Sequence, residues 1–287
     1  MNKLTFTGHE TFHCRHFWLK KGYDYLSTGQ SFKNPDAVTA LGVGKNMVMS
    51  INFWLKAFGI KNQEGQTTVF ANKIFDSNTG YDPLLEYEGT LWLLHYKLLD
   101  TNLASIFPLV FKEFRKSRVN SQFTTQQLLR YLLRAASNHQ TSIAENSLKN
   151  DIKVFIKTYY LADKNIKDME DDLSSIFIDL NLITKVTDTE EGSVFQLKVS
   201  ERPEIAKEIF YFLILDKFTK HTSISFDEIH NKIGDVFACS SEGTELKIQE
   251  ISEIFKDVVY KKDAGRKELQ IKNIPNKWDI LEQYYDA

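Results

Sequence analysis

The sequence predicts a mostly α-helical protein with small β-hairpins, built from tandem helix-turn-helix or winged-helix-like units. Three observations carry this prediction. Residues 34–59, NPDAVTALGVGKNMVMSINFWLKAFG, read as a short helix, a glycine turn and a longer helix. Apolar residues recur at helical spacing through most of the chain. Residues 182–199 and 258–272 alternate apolar and polar around turn residues, each time after a run of helices, which is the layout of a winged helix. The expected domains are residues 1–120 (a basic helix-turn-helix domain), 121–200 and 201–287 (both winged-helix-like). The recurrence of helix, helix, helix, hairpin is structural and has no fixed sequence period.

In the first domain, Asn34 suits an N-cap and Pro35 the first helical position. Gly42-Val43-Gly44 permits a tight reversal. The second helix places Met47, Val48, Ile51, Trp54, Leu55 and Phe58 on one stripe, and Gly59 ends it. The opposite face shows Lys45, Asn46, Met49 and Ser50, residue types that a recognition helix presents to the major groove. An ordinary helical hairpin shares this layout, so the motif needs support from charge. Residues 67–75 read as a short wing leading into a helix, 76–83 as a loop, and 84–98 and 106–114 as helices.

In the second domain, Thr124 precedes a leucine-periodic helix at 126–136, and another helix covers 146–160. Residues 171–181 follow as a helix with Leu173, Ile176, Phe177 and Leu180 on one face. A hairpin then turns at Glu190-Glu191-Gly192. The third domain repeats the theme, with helices at 203–219, 225–232 (from a serine cap) and 245–255. Its hairpin crosses Asp263-Ala264-Gly265-Arg266.

Charge points to the first half as the nucleic-acid surface. Residues 1–150 carry 17 Lys and Arg against 11 Asp and Glu, a net of +6, whereas residues 151–287 carry 19 against 27, a net of −8. The acidic half repels phosphates unless patches such as Lys261, Lys262, Arg266 and Lys267 face them, and it suits docking of a basic partner. Two distant cysteines, Cys14 and Cys239, fit a reducing cytoplasm. No apolar run is long enough to span a bilayer, and the N-terminus lacks a signal layout, so the expected location is cytoplasmic with no membrane partner.

Several residues carry candidate chemistry. His9-Glu10-Thr11-Phe12-His13 spells the H-E-x-x-H zinc-protease pattern, in which two histidines one helical turn apart hold the metal. It lies near the chain start, directly after Gly8, with no evident packed helix and no clear third ligand, so zinc is not expected. Without zinc, His9 and Glu10 remain a pair able to exchange protons or orient water. Arg15, Lys20 and Lys21 interleave with Phe12, Phe17, Trp18 and Tyr23, a pattern that suits a phosphate backbone with stacked bases. Phosphodiester hydrolysis calls for Mg²⁺ or Mn²⁺ on carboxylates, and the nearest acidic group is Asp82, Glu86 and Glu88. Glu86 and Glu88 are two apart and would not share a helix face. The segment GVGK (Gly42 to Lys45) lacks the remainder of a P-loop, which excludes that mode of nucleotide hydrolysis.

Three blocks also carry a family resemblance: FTGHETFHCRHFWLKKGYDYL (6–26), ALGVGKNMVMSINFWLKAFG (40–59) and LLEYEGTLWLLHYKL (84–98), with a weaker fourth, SLKNDIKVFIKTYY (147–160). Together they resemble a bacterial domain-of-unknown-function family linked to phosphoadenosine-phosphosulfate-reductase-like genes. The chain departs from that pattern at His13, where a typical member has proline, which further weakens the zinc motif. The resemblance implies a role in a DNA phosphorothioation defence system, with double-stranded DNA and other proteins of that system as partners. Two activities stay open: nicking of one strand, and non-catalytic DNA recognition that positions sulfur-transfer enzymes.

Overall fold

Small residues set the first helix contacts. A computed structural model describes residues 3–118, 120–161, 175–190, 192–263 and 265–287. In it helix α1 (Trp18–Ser27) packs on α3 (Lys45–Ala57) at Gly22, where a β-carbon would stand 2.7 Å from Leu55 Cδ1. Between them lies α2 (Ala37–Leu41). The Asn34 side-chain oxygen accepts the Asp36 N–H at 3.1 Å, so Asn34 caps the turn just ahead of the first helical residue. Tyr25, Ala37, Leu41 and Val48 form a small core closed by Phe32 and Val43. Helix α3 stops at Gly59, whose φ is +65°. The Gly59 N–H donates to Lys56 O and the Ile60 N–H to Leu55 O, the paired bonds that close a helix through a left-handed residue.

Thr68 caps α4 (Val69–Phe75) by accepting the Ala71 N–H. The next helix, α5 (Glu88–Thr101), starts four residues later than the sequence predicts. Leu85 has φ +60°, and the Asp82 carboxylate accepts the N–H groups of Glu86 and Tyr87 at 2.8 and 3.0 Å, which holds the preceding residues in a turn. Helix α6 (Ile106–Pro108) runs into a π-helical stretch (Leu109–Phe114) and a 3₁₀ turn (Arg115–Ser117). A reciprocal Thr124–Gln127 cap opens α7 (Thr125–Asn138), and α8 (Glu145–Tyr159) follows. The core beneath them is aromatic: Trp92, Phe107, Phe111, Phe155, Tyr159 and Phe177 are all buried. Fully buried His95 sits among these rings with Nδ1 3.0 Å from the Tyr159 hydroxyl.

Strands β1 (Gln122–Thr124), β2 (Ile183–Thr189) and β3 (Gly192–Leu197) form an antiparallel sheet in the order β1-β3-β2. Phe123 lies opposite Phe195, which joins the hairpin to the helices. Of the helix expected at 171–181, the first four residues, including Leu173, lie outside the described residues. The remainder forms an isolated bridge and a series of turns, with Ile176, Phe177 and Leu180 buried as expected. Glu191 of the expected hairpin turn also lies outside the described residues.

The second module contains α9 (Lys207–Lys217), β4 (Ser223–Ser225), α10 (Phe226–Lys232), α11 (Ser241–Ile254), β5 (Val258–Asp263), β6 (Arg266–Ile271) and α12 (Lys277–Tyr285). Its sheet order is β4-β6-β5. Reciprocal Ser225–Glu228 bonds cap α10, and Ser240 caps α11. The Glu245 carboxylate lies between Lys262 and Lys267, 2.5 and 2.6 Å away, and the hydrogen bonds they donate, with their charges, hold its pKa below the ordinary value. Ala264, within the expected turn, lies outside the described residues. Helix α12 packs on α9, with Trp278 and Phe212 ring centroids 5.2 Å apart.

Both sheets therefore follow one topology: helix, short strand, helix, helix, hairpin, with the short strand paired to the last strand. The chain clusters into two compact units, Met1–Lys198 and Val199–Ala287. The divide expected at 120/121 falls inside the first unit, and the one expected at 200/201 falls two residues from the observed division. Each unit holds one free, buried cysteine, Cys14 or Cys239, whose thiol pKa is raised by burial. No helix among the described residues is long and apolar enough to cross a membrane.

Candidate nucleic-acid interface

The segment that spells H-E-x-x-H is a loop. Glu10 and Thr11 have φ of +49° and +65°, and the Phe12 N–H donates back to His9 O in a turn. His9 and His13 therefore do not lie one α-helical turn apart, and the zinc-protease arrangement is not formed. Nor is His9 presented to solvent. It is buried, stacked on Trp54 at 5.8 Å with the planes 11° apart, and its Nε2 lies 3.2 Å from Asp151 Oδ1. The same oxygen accepts the Thr7 N–H at 3.0 Å. Trp54 Nε1–H donates to Phe12 O at 3.1 Å. The loop is thus fastened to α8 through Asp151 and to α3 through Trp54. His9, expected with Glu10 as a pair able to exchange protons or orient water, is enclosed between these side chains. Glu10 is half-buried.

Beyond this anchor a cleft of about 330 Å³ opens between the loop and α8, lined by His13, Arg15, Asn150, Lys153 and Lys157 among others. Arg15 is held at the loop end: its guanidinium carbon lies 5.3 Å from the Trp18 ring centroid, and its backbone bridges to Ser175. The other two basic residues expected on DNA in this segment have partners within the chain. Lys20 Nζ donates to Asp24 and Ser77, and Lys21 Nζ donates to Leu41 O.

On α3, Lys45 and Asn46 are exposed and Met49 is largely so. Ser50 is not with them. It shares a face with Trp54 and Ala57, roughly one and two turns on, and all three are fully buried. Ser50 is accordingly removed from the expected groove-facing set.

The expected acidic group does not form a metal cradle. Asp82 is buried against backbone N–H groups, while Glu86 and Glu88 are exposed. Glu88 accepts the Trp92 Nε1–H at 3.2 Å. Among the described residues, no three His, Cys, Asp or Glu side chains are grouped to hold a metal ion.

Asn150, Asp151, Lys153 and Lys157 were absent from the expected site. A signal for the lysines existed: Lys149, Lys153 and Lys157 recur every four residues, which is one face of a helix. Asp151 gave none, because its partners lie about 140 residues away. A second basic groove, about 610 Å³, lies beside α7 with Arg118, Arg130 and Arg134 on its walls.

Comparison with known proteins places the chain. Residues 6–285 match the family described as Protein of unknown function (DUF4007). The fold is similar to the crystal structure of SspB, with a TM-score of 0.83 and 26% identity, over 98% of this chain and 88% of that one. It is equally similar to the crystal structure of magnesium ion-bound SspB, with a TM-score of 0.84 and 27% identity over the same shares. No curated protein sequence matches the chain.

Proposed function

The chain belongs to the DUF4007 family, and from that membership we propose that it binds double-stranded DNA within a DNA phosphorothioation defence system and nicks one strand to allow sulfur incorporation. The observation that carries this reading is the similarity to SspB over nearly the whole chain at identity above one quarter. The two helix–strand–helix–helix–hairpin modules support it as winged-helix-like units, a topology suited to presenting a helix and a hairpin to a duplex. Exposed Lys45, Asn46 and Met49 on α3, and Arg15 at the cleft, are its first contact residues.

Magnesium in the related SspB structure makes Mg²⁺ the metal to supply. Asp82, Glu88 and Asp151 already accept from N–H groups of the chain, and among the described residues no three His, Cys, Asp or Glu side chains are grouped to hold an ion. That observation favours a second reading, a non-catalytic DNA-recognition subunit that positions the sulfur-transfer proteins. One experiment separates the two. Purified protein is incubated with supercoiled plasmid and Mg²⁺ or Mn²⁺, and a parallel mobility-shift assay measures binding. Open circles support nicking; a shift without open circles supports the recognition subunit; neither result defeats both.

A further inference from the structure

Two helices occupy equivalent places in the two modules, and their charges are opposite. Helix α8 is the third helix of the first module and α11 the third of the second, each running into its hairpin or preceding it in chain order. In a winged helix this is the position that meets nucleic acid. The face of α8 turned from the core carries Asn146, Lys149, Asn150, Lys153 and Lys157. The corresponding helix α11 exposes Glu242 and Glu253, while its Glu245 is paired with Lys262 and Lys267 and its Glu250 with buried Lys247, 3.0 Å away. A polyanion is attracted to the first helix and repelled by the second.

We propose that the α8 face, with Arg15 opposite it across the cleft, is the phosphate-binding track for duplex DNA, and that of the two equivalent third helices only that of the first module meets the duplex. The inference rests on the DNA-binding reading above and assigns its site.

The geometry supports a backbone contact. Lys149, Lys153 and Lys157 lie at four-residue steps, so they span about 12 Å along the helix axis. That length covers several phosphates of one strand, since these recur about every 3.4 Å along the duplex axis. Lys149 Nζ lies 2.6 Å from Glu145, and Lys153 and Lys157 line the cleft. Arg15 closes the opposite wall, stacked on Trp18, so its guanidinium is placed before any ligand arrives. At about 330 Å³ the cleft admits a phosphodiester and not a stacked duplex. The fastening of the loop by Asp151, on this same helix, keeps the two walls at fixed separation.

The test uses the full chain and a fluorescein-labelled duplex, with affinity measured by anisotropy from 50 to 200 mM NaCl. The variant is Lys149→Ala/Lys153→Ala/Lys157→Ala. A control removes the same charge from exposed positions of the second unit, Lys220→Ala/Lys256→Ala/Lys272→Ala. Each lost phosphate contact lowers the slope of log K against log salt by about 0.9, so the α8 variant should lose about 2 to 3 and bind at least tenfold more weakly, while the control stays within about twofold. Because the substituted side chains are exposed, melting temperatures should match. Should the triple variant fail to fold, Lys153→Glu alone is measured and should also weaken binding and flatten the slope. If the wild-type chain binds DNA and the α8 variant keeps both affinity and slope, the assignment to α8 is overturned and the DNA-binding reading stands. If the wild-type chain binds no DNA, that reading fails and takes this one with it.

Discussion

Replacing Asp151 tests how the loop is held. Its carboxylate accepts the Thr7 N–H at 3.0 Å and faces His9 Nε2 at 3.2 Å, while Asp151 and His9 are each 2% exposed. A hydrogen bond to a charged group contributes about 1.5–3 kcal/mol, and Asp151 makes one such bond to Thr7 and a second polar contact to His9. Thr7 is itself exposed, which places Asp151→Ala at the lower end for the two contacts together, about 3 kcal/mol. For a unit of this size, ~1 kcal/mol shifts the melting midpoint by about 2–4 °C, so a fall of about 6–12 °C is expected by calorimetry. Asp151→Asn keeps an acceptor for Thr7 and should fall by roughly half as much. A cycle with His9→Ala should show a coupling of ~0.5–3 kcal/mol, because the two side chains share one contact. DNA binding and nicking should decline together in these variants, since the loop carries Arg15 to the cleft. A melting midpoint within about 1 °C of wild type, or energies that simply add, would refute the anchoring argument. So would a His9→Ala protein that melts and binds normally yet does not nick, because that pattern belongs to a chemical role.

Gly59→Ala should destabilise by about 1 kcal/mol, read as a lower denaturant midpoint at unchanged slope: φ is +65°, and Thr101 Cγ2 at 3.6 Å leaves room for the methyl, so the cost is in the backbone. Lys45→Ala with Asn46→Ala should weaken DNA binding by about 1–3 kcal/mol at constant salt and leave the melting temperature unchanged; equal affinity would remove α3 from the interface. Glu245 should make the second hairpin acid-sensitive. Its pKa is depressed in the fold by Lys262 and Lys267, so its contribution is present above the ordinary value of 4.5 and is lost as pH falls through the lower folded value. Wild type and Glu245→Gln should therefore differ in melting temperature near neutral pH and converge in acid, and parallel curves would contradict the ion-pair account.

Local signals made most helices legible. Thr124, Ser225 and Gly59 act on neighbours three to five residues away, so the caps they form are written beside the helices they bound. The two hairpins were visible for the same reason. Each sheet's third strand was not, because β1 and β4 have three residues apiece and exist only by pairing with a distant strand. Helix α12 also escaped notice. The delayed start of α5 depends on Asp82 bending back to two N–H groups, a competition that helical periodicity does not record. At the candidate site, exposed Lys45 and Asn46 were readable from one helix face. Ser50 was misplaced because the buried stripe of α3 is wider than its apolar residues alone indicate. His9 looked reactive in a short motif, and its enclosure by Trp54 and Asp151 comes from residues 45 and 142 positions away.

The placement of the two cysteines supplies a built-in stopwatch for each half of the molecule. Each compact unit has a single thiol, and both thiols are free and buried. Burial disfavours the thiolate, the form that attacks alkylating reagents, so modification must await an opening that admits water and reagent. When closing outpaces labelling, the observed rate divided by that of an unstructured thiol is the population of the open state. Peptide-resolved mass spectrometry then follows Cys14 and Cys239 in one tube, without any substitution in the chain. It yields two opening free energies, and a duplex that engages only the first unit would slow the Cys14 reaction while leaving Cys239 at its own pace.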